Sequence, residues 1–171
     1  KRAGGVPVNI PGGELYTALQ TGVIDATEWV GPYNDLAFGF QQVAKYYYFP
    51  GWHEPGSMLE FIINLDAWNE LPTYLQSIVK TAAKAVNQDL LDEYTAMNNQ
   101  ALRELIDVHN VQLKKLPDDV INEFRVISKS VLDEIAENDE QFKSIYESYL
   151  KFKSEVVSYH EISEDAYTKI R

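Results

Sequence analysis

The sequence has no cysteine, which removes disulfides, thiolate metal sites and thiol nucleophiles from consideration without selecting a compartment. It is also short of positive charge: 15 Lys and Arg stand against 26 Asp and Glu, a formal net charge of -11. This argues against nucleic acid and anionic membrane surfaces as partners, because phosphate binding depends on clustered cations. An anionic small molecule would need positive groups gathered locally, and Arg2, Arg103, Arg125 and Arg171 are scattered. No apolar run approaches the roughly 20 residues of a bilayer-spanning helix, and no signal peptide is visible. His53, His109 and His160 follow no His-x-x-x-His or comparable spacing, which argues against a transition-metal site.

What is present is enough for a folded body. The 171 residues are 45% hydrophobic and 12% aromatic, which suits one core and excludes a disordered tail. Lys1 rather than methionine opens the chain, so an upstream portion is expected. The first third mixes strand and helix patterns. Residues 6–10 read as a strand, Glu14 to Thr21 as a helix with Gly22 as its stop, and Val23 to Trp29 as a second strand. Strand, helix, strand is the unit of a parallel sheet, whose strand ends usually carry function. Tyr33 to about Val43 has helical spacing. The run Lys45-Tyr46-Tyr47-Tyr48-Phe49 fits a strand, either buried on both faces or walling a cleft, with core packing the commoner arrangement. Met58 to Asn64 reads as a further strand, and Asn64 to Pro72 holds a short helix.

From Thr73 the pattern becomes helical. Leu75, Ile78, Val79, Ala82, Ala83, Val86, Leu90 and Leu91 recur at three- and four-residue spacing, and the repeat continues through Met97, Ala101 and Leu105 to about His109. Such a helix would be about 50 Å long and would run along the back of a larger body. Val111 to Leu116 alternates as a strand, and Pro117-Asp118-Asp119 opens a helix with carboxylates at its positive end. Helices then run to about Asn138 and from Asp139 to about Val157, and Ser158 to Arg171 has weak periodicity. With about four strands countable, the chain reads as part of an α/β protein with a helix-rich back two thirds.

Two short stretches stand out chemically: Asp25-Ala26-Thr27-Glu28-Trp29-Val30-Gly31-Pro32-Tyr33 and Gly51-Trp52-His53-Glu54-Pro55-Gly56. Each sets a carboxylate beside a tryptophan in a segment closed by glycine and proline, a composition suited to a pocket edge. Isolated glutamates are more often solvated than ligating, and Trp29 and Trp52 suit a core as well as a pocket wall. Asp118, Asp119, Glu134, Glu137, Asp139 and Glu140 are most simply a solvated face. Paired glutamates with tryptophans also suit a glycoside hydrolase, one carboxyl acting as acid and the other as nucleophile or base. A helical interaction module is a third reading, which would leave both front motifs without a purpose.

The segments from Pro11 to Gln20, Gly22 to Tyr33 and Tyr46 to Gly56 resemble the extracytoplasmic solute receptors of TRAP transporters, the DctP family. Within it they are most similar to the TakP-like branch, which binds 2-oxo acids and lactate together with a cation. The resemblance extends from about Val6 to the end. It implies a two-lobed periplasmic receptor, not an enzyme, that closes on its ligand and delivers it to membrane permease subunits. Members are nearly twice this length, so the chain resembles the C-terminal portion. On that reading residues 1–27 belong to the second lobe and 28–72 to the crossover and part of the first lobe. Residues 73–110 form the bracing helix, and 111–171 supply a second-lobe strand and C-terminal helices.

The same resemblance implies that Glu28 and Glu54 are acidic ligands of a cation. Trp29 would help hold cation and substrate through its carbonyl and its flank. Two carboxylates and a carbonyl suit Na⁺ or Ca²⁺, leaving positions for the oxygens of a small carboxylate such as pyruvate or lactate. His53 stands where relatives often carry another aromatic, which makes the pocket floor more polar. None of the chain's arginines lies near these motifs, and the family's carboxylate-binding arginine is expected in the missing portion. Relatives form homodimers through their C-terminal helices, and the aromatic stretch from Tyr149 to Tyr167 is the corresponding candidate surface.

Overall fold

A computed structural model describes residues 1–52, 56 and 59–171. They divide into two units, one of Val6–Pro117 and one joining Lys1–Gly5 to Asp118–Arg171.

In the first unit, a 3-10 turn at Gly12–Glu14 leads into helix α1, Leu15–Gln20, which buries Leu15 and Ala18. Gly22 takes the left-handed conformation (φ 72°) that a helix C-terminus favours in glycine, as its position implies. Helix α2 covers only Pro32–Ala37. The continuous helix expected to Val43 is interrupted because Gly39 sits at φ 77° and its N–H turns back to the Leu36 carbonyl; a 3-10 turn, Phe40–Gln42, follows. Strand β1, Tyr46–Phe49, and strand β2, Gln112–Lys115, pair in parallel, Tyr46 opposite Gln112 and Phe49 opposite Lys115. Between them come helix α3, Leu65–Glu70, and helix α4, Thr73–Asp107.

The local signals around the helices work as their chemistry suggests. Asn64 caps α3, its Oδ1 accepting from Asp66 and Ala67 N–H at 3.0 and 3.1 Å. The Gln76 amide donates to the Trp68 and Leu71 carbonyls, 2.9 and 3.1 Å, and so joins the end of α3 to the start of α4. Helix α4 is 35 residues long, close to the length its apolar spacing predicts. After it Asn110, at φ 56°, reverses the chain, and Val111 N–H returns to the Leu105 carbonyl at 2.9 Å. Among the described residues the buried apolar ones are Leu15, Ala18, Phe40, Ala101, Leu105 and Val111. All lie in this unit, and the α4 contribution comes from its last two turns. Tyr74, Ile78, Val86 and Leu91, farther back on α4, are exposed.

Three strands expected from the sequence are absent. Residues 6–10 and 23–29 are irregular, as are 59–64; Met58 lies outside the described residues. A strand depends on a neighbour for its backbone hydrogen bonds, and Val6 and Val8, at 86% and 57% exposed, pack against little. The parallel pairing does occur, but between β1 and β2 rather than within the opening segment. The double-sided burial expected of Lys45–Phe49 fails too, since Tyr46, Tyr48 and Phe49 are exposed and only Tyr47 is half-buried.

The second unit contains helices α5, Asp118–Asn138, α6, Glu140–Ile162, and α7, Glu164–Ile170. Asp139 caps α6 by accepting from Phe142 N–H at 2.9 Å. Helix order persists five residues beyond the expected end at Val157 and resumes in α7. At the break between them the Ser163 hydroxyl donates to the Tyr159 carbonyl at 2.8 Å. Near the chain start, Arg2 pairs with the Glu134 carboxylate on α5. Among the described residues no helix is long and apolar enough to cross a membrane.

Candidate functional site

The segment carrying Glu28 and Trp29 runs without regular structure from Gly22 into α2, so its shape depends on side-chain and loop contacts. The half-buried Trp29 ring lies against Gly12 on one side, and Phe38 follows with its centroid 4.9 Å away and tilted 48°. Phe38 in turn meets Phe40 at 5.6 Å. Trp29 Nε1 is buried and has no acceptor among the described residues. A buried N–H of this kind is normally satisfied, so it marks a place where a partner belongs.

Beyond Trp29 the chain is fastened by Asp35, the one buried charged residue among those described, at 8% exposed. Its Oδ2 accepts from the Tyr47 hydroxyl on β1 at 2.6 Å, and its Oδ1 accepts from Val30 N–H at a long 3.4 Å. Gly31 N–H also donates to it. Burial pushes the Asp35 carboxyl above the usual aspartate range, while the Tyr47, Val30 and Gly31 bonds to its charged form pull it back. Tyr47 is driven far above the ordinary phenol range, chiefly by burial, then by its bond to Asp35 and by the charges of Asp35 and Glu28. The phenol therefore stays a hydrogen-bond donor.

The start of α2 is fixed from α4. Asn98 Oδ1 accepts from Tyr33 N–H at 2.9 Å, and the Tyr33 hydroxyl donates to Glu93 at 3.2 Å. The Tyr33 ring meets Tyr94 edge-on at 6.0 Å.

Of the residues singled out from the sequence, Glu28 is exposed and close enough to raise Tyr47, and Trp29 is half-buried beside it. Glu54 and His53 lie outside the described residues, and Trp52 is exposed. Sequence reasoning missed Gly12, Asp35, Tyr47 and Asn98. The carboxylate four residues after Gly31 was the readable hint, since an acid in a helix's first turn can reach back to the preceding N–H groups. Glu28 and the Trp29 carbonyl together offer hard oxygen donors, a set suited to calcium or sodium rather than to soft metals. Among the described residues no three His, Asp or Glu side chains cluster into a metal site.

Comparison with known proteins adds four matches. Residues 1–139 match the profile of bacterial extracellular solute-binding protein, family 7, also called DctP. A monocarboxylate 2-oxoacid-binding periplasmic protein of Nostoc sp. is 40% identical over 164 residues, 95% of this chain and 45% of that protein. A TRAP periplasmic solute binding protein of Colwellia psychrerythraea, solved with bound calcium and pyruvate, is 38% identical with a TM-score of 0.90, over 96% of this chain and 50% of that one. A TRAP transporter solute binding protein of Bordetella bronchiseptica is similar at 35% identity and a TM-score of 0.89, over 96% of this chain and 49% of that one. It is a mixed-occupancy dimer with copurified calcium and picolinate in one site and the other apo. The chain spans about half the length of the relatives it matches.

Proposed function

Since the chain belongs to the DctP family of bacterial extracellular solute-binding proteins, we propose that it is part of a TRAP-transporter receptor for a small 2-oxo or hydroxy carboxylate held with a cation. The observation that carries this reading is the likeness, over 96% of the chain, to a receptor solved with calcium and pyruvate. Glu28 and the Trp29 carbonyl supply two of the cation's oxygen ligands and Glu54 a third. The cation bridges an acidic protein to an acidic solute, answering the scarcity of local positive charge. Calcium is favoured over sodium because two similar receptors hold it. Trp29 Nε1, buried and without an acceptor among the described residues, is an additional donor available to the solute.

The protein works outside the cytoplasm, by capture rather than turnover. Solute and cation select a closed state because only there do they touch both lobes, and the closed receptor offers a new surface to the membrane permease subunits. Residues 1–27 and 111–171 are assigned to the second lobe, 28–72 to the crossover and first lobe, and 73–110 to the bracing helix. The half of the receptor beyond this chain supplies the arginine that clamps the carboxylate. A homodimer through the C-terminal helices accords with the exposed Tyr149, Phe152 and Tyr159 of α6 and with the dimeric Bordetella protein.

The test is thermal denaturation of the full-length receptor with pyruvate, lactate, longer 2-oxo acids and sugars, each before and after chelation. Stabilisation by a 2-oxo or hydroxy acid that needs calcium, and is lost in Glu28→Ala and Glu54→Ala, is expected. Stabilisation by sugars alone, or by acids with no need of a cation, would overturn the assignment.

A further inference from the structure

The peptide joining Trp29 to Val30 is where the ligand-bearing segment meets the protein interior. A trans peptide carries its C=O and its N–H on opposite sides, so whatever holds the Val30 N–H also aims the Trp29 carbonyl. The holder is Asp35, whose Oδ1 faces Val30 N at 3.4 Å and which also accepts from Gly31 N–H. Asp35 is itself fixed from β1 by the Tyr47 hydroxyl, 2.6 Å from Oδ2. The carboxylate thus links the loop after Trp29, helix α2 and strand β1.

We propose that Asp35 and Tyr47 are positioning residues that set the direction of the Trp29 carbonyl toward the cation. The inference rests on the reading that this carbonyl and Glu28 hold the cation. Helix capping accounts for the Gly31 contact, since Gly31 is the cap residue of α2, but not for the one to Val30. Val30 lies outside the helix, and its N–H is not one of the helix's orphan donors. Within the first turn Tyr33 N–H is satisfied from α4 by Asn98. A buried carboxylate also loses solvation by standing here, and the bond to Tyr47 orients it without neutralising its charge. Outer partners of this kind orient a ligating group and commonly change metal affinity about 10- to 100-fold when removed.

The experiment uses the full-length receptor with saturating pyruvate and follows calcium affinity by titration calorimetry in Tyr47→Phe, Asp35→Asn, Glu28→Gln and Asn98→Ala. Tyr47→Phe leaves every charge in place. Asn98→Ala loosens the start of α2 without touching Val30. Hydrogen exchange at the Val30 amide, measured without calcium, provides a readout independent of the loaded site. Tyr47→Phe and Asp35→Asn are expected to weaken calcium about 10-fold or more and to speed exchange at Val30, with Asn98→Ala within about twofold of wild type. If Glu28→Gln loses calcium while Tyr47→Phe and Asp35→Asn keep wild-type affinity, the positioning role is wrong and the cation site stands. If Glu28→Gln also binds normally, the cation reading fails and the inference with it. Equal weakening in Asn98→Ala would trace the effect to general loosening and overturn the positioning role.

Discussion

The ring of Trp29 lies so close over Gly12 that a Cβ at position 12 would stand 2.5 Å from its Cη2 and 2.8 Å from its Cζ3. Contacts that short do not persist, and the indole has little freedom to retreat because Phe38 lies 4.9 Å from it, ring centre to ring centre. Gly12 is therefore a requirement of the site's packing, set by close approach.

Gly12→Ala is accordingly expected to destabilise by about 1–3 kcal/mol, the usual cost of an extra methyl in a packed contact. A methyl at Gly13 would meet nothing within 4 Å, so Gly13→Ala provides the control. Urea melts of the two alanine variants of the full-length receptor check the point. Equal midpoints would mean that the Trp29 ring does not rest on Gly12.

The Asn98 side chain carries a second dependence. It supplies an acceptor to Tyr33 N–H, one of the first-turn donors that a helix of only six residues cannot satisfy internally. Asn98→Ala is expected to cost about 1 kcal/mol, whereas Asn98→Asp, which keeps the acceptor, should retain most of the stability. Chemical denaturation of the pair decides it, and identical losses in both would remove the cap.

These contacts also explain what could be read in the sequence and what could not. Helices α3, α4 and α5 were legible because their signals are local: Asn64 and Pro72 as boundaries, apolar spacing through Leu105, and Pro117 followed by two aspartates. Glu28 and Trp29 stood out through their glycine and proline frame. The support beneath them did not, because Tyr33 meets Asn98 across 65 positions and Asp35 meets Tyr47 across 12. No periodicity records such a meeting. The strands read at residues 6–10 and 23–29 fail for the complementary reason: β-branched Val and Ile state a preference for extended chain, while the pairing neighbour has to come from elsewhere. In Tyr46–Phe49 the aromatic run correctly marked a strand, and only Tyr47 takes the inward environment that the run as a whole suggested.

In the helical unit, Asp139 is the simplest place to test a local prediction by itself. Its carboxylate accepts from Phe142 N–H and adds negative charge at the positive end of α6. Asp139→Ala should lower stability by about 1 kcal/mol, and Asp139→Ser, which restores a capping oxygen, should recover most of it. Thermal melts at matched ionic strength measure both, and a neutral alanine would show that α6 does not depend on this cap.

The Tyr47 phenol makes the alkaline behaviour of the protein a direct reading of its burial. Its ordinary value is 10.0, and burial, the Asp35 bond and the charges of Asp35 and Glu28 all raise it in the folded state. A group raised in this way contributes stability that is fully present below the unfolded value and is lost as pH climbs above it, because the unfolded chain then releases a proton that the native state retains. The loss begins near pH 10 and continues through the accessible alkaline range, with a limiting slope of about 1.4 kcal/mol per pH unit for one proton. Tyr47→Phe has no such proton to release. Tyr33, raised by its bond to Glu93, and the lysines are common to both proteins and cancel in the comparison. The stability gap between wild type and Tyr47→Phe should therefore shrink between about pH 9 and about pH 11 in urea melts. A gap that stays constant would mean that Tyr47 ionises as freely in the native state as in the unfolded one, which the 2.6 Å bond to a buried carboxylate forbids.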